Sequence, residues 1–329
     1  MLFAHPPAKL TTSYSWHCNQ RRAREKAALT RLDKSSKEIG ARLVALAASL
    51  AVLLWASVAT AQEVVHFPSL DASGPGQAAT MLDGYLFRPA GDGPHPAIVG
   101  LHGCSGMFAP GGSMFPSYRD WGNHLAQLGY VFLLVDSFGP RRHGEMCSMG
   151  GFDLALYRNR PKDAYGALLY LQSQPFVRGD RVAAIGWSQG GGVVLLSIPT
   201  LSLGRPATLP QGDFRAAVAF YPGSCNDERL PAGWTSTIPL LVLQGAEDVW
   251  TPLAPCQAFV NGAVGRGARI EMQVYPGAYH SFDAPNLSRR ELPNYVTRAG
   301  VVPIIGTDPA ARQDAFARVP AFLARYLGN

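Results

Sequence analysis

The chain has 329 residues, 47% hydrophobic and 16% charged, a composition that excludes a disordered or fibrous protein and provides for a sizeable core. Its formal charge is +6, but of its 29 basic and 23 acidic residues nine and three fall within positions 1–61, which leaves 20 of each in 62–329. That body is formally neutral, so the basic balance gives no reason to expect a nucleic-acid partner.

At the front, a basic stretch leads into an uncharged apolar run over 43–58 and then Ala59-Thr60-Ala61, the small-x-small pattern that fits a signal-peptidase pocket. These features predict an N-terminal extension plus signal peptide over 1–61 with cleavage after Ala61. The mature chain, 62–329, is then periplasmic or secreted, with no stable membrane association. The alternative is an anchor retained through 43–58, although that run is short of the ~18 apolar residues expected of a span.

Beyond residue 62, β-rich apolar runs alternate with amphipathic stretches, the pattern of a mostly parallel sheet flanked by helices. Strands are predicted over 81–88 and 95–101, a helix over 121–128, and a strand over 130–135. A helix over 161–174 leads to a strand over 181–186 and a helical segment over 193–197. Strands follow over 216–221, 239–244 and 269–275, and a closing helix over 309–327. No Pro/Ser-rich linker and no internal repeat divides these elements, so a single domain is expected.

Cys18 lies in the segment to be removed, leaving Cys104, Cys147, Cys225 and Cys256. An even number in an exported chain suggests disulfides, with three possible connectivities. Cys104 with Cys147 and Cys225 with Cys256 is the expected pairing, because each pair falls in loops on one side of the predicted sheet. A metal site is the rival reading, but the close Cys-x-x-Cys spacing favoured by zinc is missing. No metal or organic cofactor is expected.

The most specific local signal is Gly186-Trp187-Ser188-Gln189-Gly190, a Gly-x-Ser-x-Gly match between a predicted strand and a glycine-rich helix start. A turn that sharp puts the serine in a strained backbone conformation, and the flanking glycines remove collisions with neighbouring elements. Ser188 needs a base to become nucleophilic. On such a scaffold the acid and base follow the serine in the order Ser, Asp, His, each beyond a strand end.

Asp248, in the turn after the 239–244 strand, is the candidate acid; Glu247, Asp227 and Asp283 compete with it. His280, in the loop after the 269–275 strand, is the candidate base, and of eight histidines it alone follows Ser188. His124 and His143 precede the serine and would break the order. The amides of Cys104 and Gln189 are candidate oxyanion donors. Phe108, Trp187, Tyr221 and Trp250 flank the motif loops and are candidate walls of a substrate pocket. The loop over 136–151, with Arg141, Arg142 and His143, is either a site for an anionic substrate group or a solvated loop.

Together, His102-Gly103-Cys104, the Gly186 to Gly191 motif, residues 245–252 and His280-Ser281-Phe282 resemble the dienelactone hydrolase family of α/β-hydrolases over 75–329. The resemblance implies an α/β-hydrolase fold and a hydrolase of small-molecule esters or lactones. The family's namesake enzymes carry cysteine where this chain has Ser188. A serine there favours a carboxylester, thioester or lactone hydrolase working through a Ser188, His280, Asp248 triad and an acyl-enzyme. A peptidase or acyltransferase on the same scaffold, and a non-catalytic exported binding protein, are the alternatives.

Overall fold

The computed structural model describes residues 62–72, 74 and 76–328, together with Arg24 and Lys26. The expected signal peptide and its cleavage site lie outside the described residues. Everything described from Gln62 onward belongs to one unit.

In chain order the elements are β1 (Glu63–Pro68), β2 (Met81–Phe87), β3 (His95–Leu101), α1 (Pro116–Gln127), β4 (Val131–Asp136), α2 (Leu154–Gln172), β5 (Val177–Trp187) and α3 (Gln189–Ser197). They continue with β6 (Ala217–Phe220), β7 (Leu240–Gly245), α4 (Leu253–Gly265), β8 (Ile270–Tyr275), the two-residue strands β9 (Arg290–Glu291) and β10 (Ile304–Ile305), and α5 (Pro309–Leu327). The main sheet has the order β1-β2-β4-β3-β5-β6-β7-β8. β1 and β2 join antiparallel, β2 joins β4 antiparallel, and every later pair is parallel. This is the expected mostly parallel sheet of an α/β-hydrolase fold.

Helices cover both faces of the sheet, and the strand sequences show it. β4 reads Val-Phe-Leu-Leu-Val-Asp and is buried at every position, as a strand packed on both sides must be. One core gathers Val99, Leu133, Ala184 and Val242 with Leu168 of α2, Val194 of α3 and Phe259 of α4. The other gathers Ile98, Phe132, Ile185 and Leu243 with Trp121 of α1 and Phe322 and Leu323 of α5. Each fully buried Val, Leu, Ile or Phe side chain contributes about 1.5–3 kcal/mol.

The structure departs from the sequence reading at several elements, the unpredicted β9 and β10 among them. β1 was not anticipated, because only Val65 and Phe67 point inward and the strand is completed by pairing with β2. α2 begins at Leu154, well ahead of Pro161: the Asp153 carboxylate caps it by accepting the Leu156 amide at 3.0 Å. α4 contains Pro255, Gly262 and Gly265, poor helix formers that read as loop, and packing of Cys256, Phe259, Val260 and Ala263 compensates.

Disulfides join Cys104 to Cys147 and Cys225 to Cys256. Cys256 sits in the first turn of α4, buried, where a loop position had been expected. No helix among the described residues is long and apolar enough to cross a membrane.

Candidate active site

Parallel strands joined by crossovers deliver their carboxyl ends to one edge of the sheet, where ligands bind in open α/β folds. Five segments arrive there: the loops after β3, β5, β6, β7 and β8, carrying Cys104, Ser188, Tyr221, Asp248 and His280.

Ser188 stands between β5 and α3 with φ 54° and ψ −117°, a backbone region that side chains other than glycine rarely occupy. The surroundings hold it there. Its amide donates to the Phe220 carbonyl at 2.9 Å, and its carbonyl accepts from Gly223 at 2.7 Å and Gly192 at 3.0 Å. A side chain at Gly190 would run into the Leu101 carbonyl, and one at Gly186 into the Gly190 carbonyl. Both glycines are therefore steric requirements of the turn.

Asp248 and His280 are both buried and directly paired, Asp248 Oδ2 lying 2.7 Å from His280 Nδ1. The Asp248 carboxylate is fixed from several sides. Its Oδ1 accepts from the Trp250 and Thr251 amides, both at 2.9 Å, and its Oδ2 also accepts from Thr251 Oγ1 at 2.7 Å. This arrangement puts the imidazole proton on Nδ1 and leaves Nε2 as the lone-pair nitrogen. Ser188 Oγ and His280 Nε2 are not hydrogen-bonded in this structure; in apo sites such contacts are often long and tighten with substrate. The Tyr221 ring lies 4.4 Å from that of His280, and its amino-side neighbour Phe220 holds the Ser188 amide.

The competing acids are placed elsewhere. Glu247 is exposed, and Asp227 is exposed and faces Arg266 at 3.7 Å. Asp283 is buried in an aromatic cage, accepting from Trp121 Nε1 at 2.8 Å, Trp187 Nε1 at 2.9 Å and the Tyr221 hydroxyl at 2.6 Å. Burial raises its pKa against those three donors.

This cage corrects two of the expected pocket walls. Trp187 is buried, stacked on Phe220 with ring centroids 5.6 Å apart, and belongs to the core. Tyr221 is also buried and, with its hydroxyl on Asp283, supports the His280 ring from within. Trp250 is half-buried, 4.9 Å from the His280 ring, and stacks on the half-buried Tyr295 at 5.9 Å. Phe108 is half-buried against Tyr85 at 5.2 Å.

At the candidate oxyanion loop, the Gly103 amide is already engaged, donating to the Tyr118 hydroxyl at 2.8 Å. Burial pushes the Tyr118 pKa up to about 12, so the hydroxyl stays protonated. The Cys104 amide comes next in the chain, and the Gln189 amide opens α3 directly after Ser188. His102 beneath them is fully buried, Nδ1 on the Gly103 carbonyl at 2.7 Å and Nε2 receiving the Ser137 amide at 3.2 Å. Burial, followed by the charge of Arg160, holds its pKa well below 6.5, so it is neutral.

Arg141 is not available to an anionic substrate: it is paired with Asp71 at 2.8 Å and Asp163 at 2.7 Å. A surface cavity lined by Asp120, Asn286, Thr307, Arg312 and Phe316 includes neither Ser188 nor His280, and its Arg312 is paired with Asp120 at 2.7 Å. Among the described residues, no group of three or more His, Cys, Asp or Glu side chains is placed to hold a metal ion.

Thr251 lies in the 245–252 segment without an assigned role there, and sequence reading missed Tyr118, Arg160 and Tyr295 as parts of this region. None carries a local motif; each arrives from a different loop or helix.

The model of the dienelactone hydrolase family matches residues 82–327. The chain belongs to the dienelactone hydrolase family. It is 26% identical over 207 residues to a Bradyrhizobium protein named a probable 2-oxo-3-(5-oxofuran-2-ylidene)propanoate lactonase, covering 60% of this chain and 77% of that one. Among solved structures it resembles esterase 2 of Thermogutta terrifontis phosphorylated by paraoxon, with TM-score 0.56, 20% identity and coverage of 82% of this chain and 96% of that one. A dienelactone hydrolase-like promiscuous phosphotriesterase from metagenomic libraries is similar at TM-score 0.56 and 20% identity, covering 81% of this chain and 99% of that one. At these identities the structural likenesses establish the fold, and the family establishes a hydrolase.

Proposed function

We infer that this hydrolase cleaves carboxylic esters, thioesters or lactones, with Ser188 as nucleophile, His280 as general base and Asp248 as the acid that orients it. The observation that carries the reading is the strained Ser188 at the end of β5, on the sheet edge where the buried His280–Asp248 pair sits at 2.7 Å. Strain of this kind costs about 1–3 kcal/mol and is kept where it serves a function.

In the first step His280 Nε2 takes the Ser188 proton as Oγ attacks the carbonyl carbon. The carbonyl oxygen becomes an oxyanion facing the Cys104 and Gln189 amides. The C–O or C–S bond then breaks, and the imidazolium returns its proton to the leaving group. In the second step water, deprotonated by His280, attacks the acyl-enzyme and releases the acid and Ser188. Asp248 keeps the Nδ1–H tautomer and stabilises the imidazolium.

The half-buried Trp250 and Tyr295 beside His280 suit a leaving group, because the proton donor must touch the leaving oxygen. The two disulfides support an extracytoplasmic enzyme, since paired disulfides persist in oxidising compartments. The mass of the exported protein, with an expected start at Gln62, tests that part.

The test of the activity is labelling of residues 62–329 with a fluorophosphonate while hydrolysis of short-chain p-nitrophenyl esters is followed. Wild type should label at Ser188 and turn over, whereas folded Ser188→Ala should do neither and His280→Ala should lose turnover. A folded wild type that neither labels nor hydrolyses overturns the reading.

A further inference from the structure

Arg160, on α2, is fully buried, and its guanidinium reaches both segments that carry the candidate oxyanion donors. One terminal nitrogen donates to the His102 carbonyl at 2.7 Å, just ahead of Gly103 and Cys104. The other donates to Gln189 Oε1 at 2.7 Å, on the residue that follows the nucleophile. Phe138 closes the site from one side, its ring centre 5.2 Å from the guanidinium carbon.

No carboxylate is hydrogen-bonded to Arg160 among the described residues. Asp163, almost one helical turn further along α2, is taken by Arg141 at 2.7 and 2.9 Å and by Ser69 at 2.6 Å. Among the described residues the Arg160 Nε has no acceptor. Burial lowers its pKa to about 10, which still leaves it cationic at neutral pH.

A buried charge without a bonded counter-ion costs several kcal/mol after relaxation, and a well-packed hydrocarbon side chain would avoid that cost. The cost is offset where negative charge appears nearby during turnover. In a water-excluded site a fixed cation is worth far more to a developing oxyanion than the same charge in water.

The geometry points to Arg160 as the positioning residue of the oxyanion site. Its fork fixes the loop after β3 and the start of α3 at one spacing, and its charge, which Asp163 attracts through space without a hydrogen bond, stabilises the tetrahedral oxyanion from behind the two amides. This rests on the hydrolase reading above.

Gln189→Glu tests the charge separately from the architecture. It keeps the shape and the contact, and it neutralises Arg160 by placing a carboxylate against it. Each variant is assayed for kcat and KM on p-nitrophenyl butyrate and for inhibition by an alkyl trifluoromethyl ketone, whose serine adduct is a tetrahedral oxyanion.

Gln189→Glu should keep or raise Tm and leave KM within about twofold, while kcat and affinity for the ketone both fall about tenfold or more. Arg160→Lys, which keeps the charge without the fork, should lose less than Arg160→Met. If Arg160→Met does not fold, Gln189→Glu decides alone. Gln189→Glu with kcat and ketone affinity within about threefold of wild type, or with its loss confined to KM, overturns the inference. A wild type without any Ser188 adduct overturns the hydrolase reading itself, and this inference with it.

Discussion

Single side chains at the sheet edge differ in what they do, and substitution separates them. Asp248 receives two backbone amides, the Thr251 hydroxyl and His280 Nδ1, so its charge and its geometry are both specified. Asp248→Asn should fold normally, because the amide is nearly isosteric, yet kcat should fall by about 10³–10⁴ as the histidine tautomer is lost. Near-wild-type turnover by this variant would remove Asp248 from the mechanism. Asp283, three residues after His280, acts on the fold instead: it satisfies Trp121, Trp187 and Tyr221 in the layer behind the site. Asp283→Ala orphans three buried donors, each costing about 1–3 kcal/mol, and urea unfolding should show a loss of about 3 kcal/mol or more. A loss under about 1 kcal/mol would mean that water replaces the carboxylate.

Among the elements, the turn from β5 into α3 is the least tolerant. The backbone of Gly190 passes so close to the Leu101 carbonyl that any Cβ forces β3 and α3 apart. Gly190→Ala should therefore lower Tm and abolish labelling of Ser188 together, although alanine is the better helix former in isolation by about 1 kcal/mol. A stabilised, active Gly190→Ala would show that the elbow relaxes. The segment between β8 and α5 acts differently. β9 and β10 pair there, the Gly306 amide donates to the His280 carbonyl at 3.0 Å, and Tyr295 is carried onto Trp250. Tyr295→Ala should raise KM about tenfold for aryl esters and leave it nearly unchanged for methyl esters, an aromatic contact being worth about 0.5–1.5 kcal/mol. Equal KM changes for both would assign the stack to hairpin anchoring alone.

For the molecule as a whole, pH dependence of stability follows from neutral groups buried at the base of the site. His102 has a folded pKa held well below 6.5, its ordinary value, by burial first and Arg160 second. Above pH 6.5 neither state protonates it and it has no effect. Below pH 6.5 the unfolded chain gains a proton that the folded chain refuses, so stability is lost as pH falls, by up to about 1.4 kcal/mol per pH unit from this group. Urea unfolding of wild type and His102→Asn from pH 7.5 down to the folded pKa should give a steeper decline for wild type; parallel declines would show that His102 does not set it. The parallel strands were legible in the sequence, because strands buried on both faces read as continuous apolar runs, whereas the half-exposed β1 and the glycine-containing α4 were not. The sequence also singled out Ser188, Asp248 and His280 as candidates, since a nucleophile turn and strand-end loops are local signals in a fixed chain order. Tertiary structure decided what local pattern does not encode. Trp187 and Tyr221 sit in the same loops as the candidate site residues, and only packing against Asp283 shows that they face inward. Arg160 lies in an unremarkable helix, and its meaning comes from two acceptors that are distant in sequence and meet it only when the chain folds.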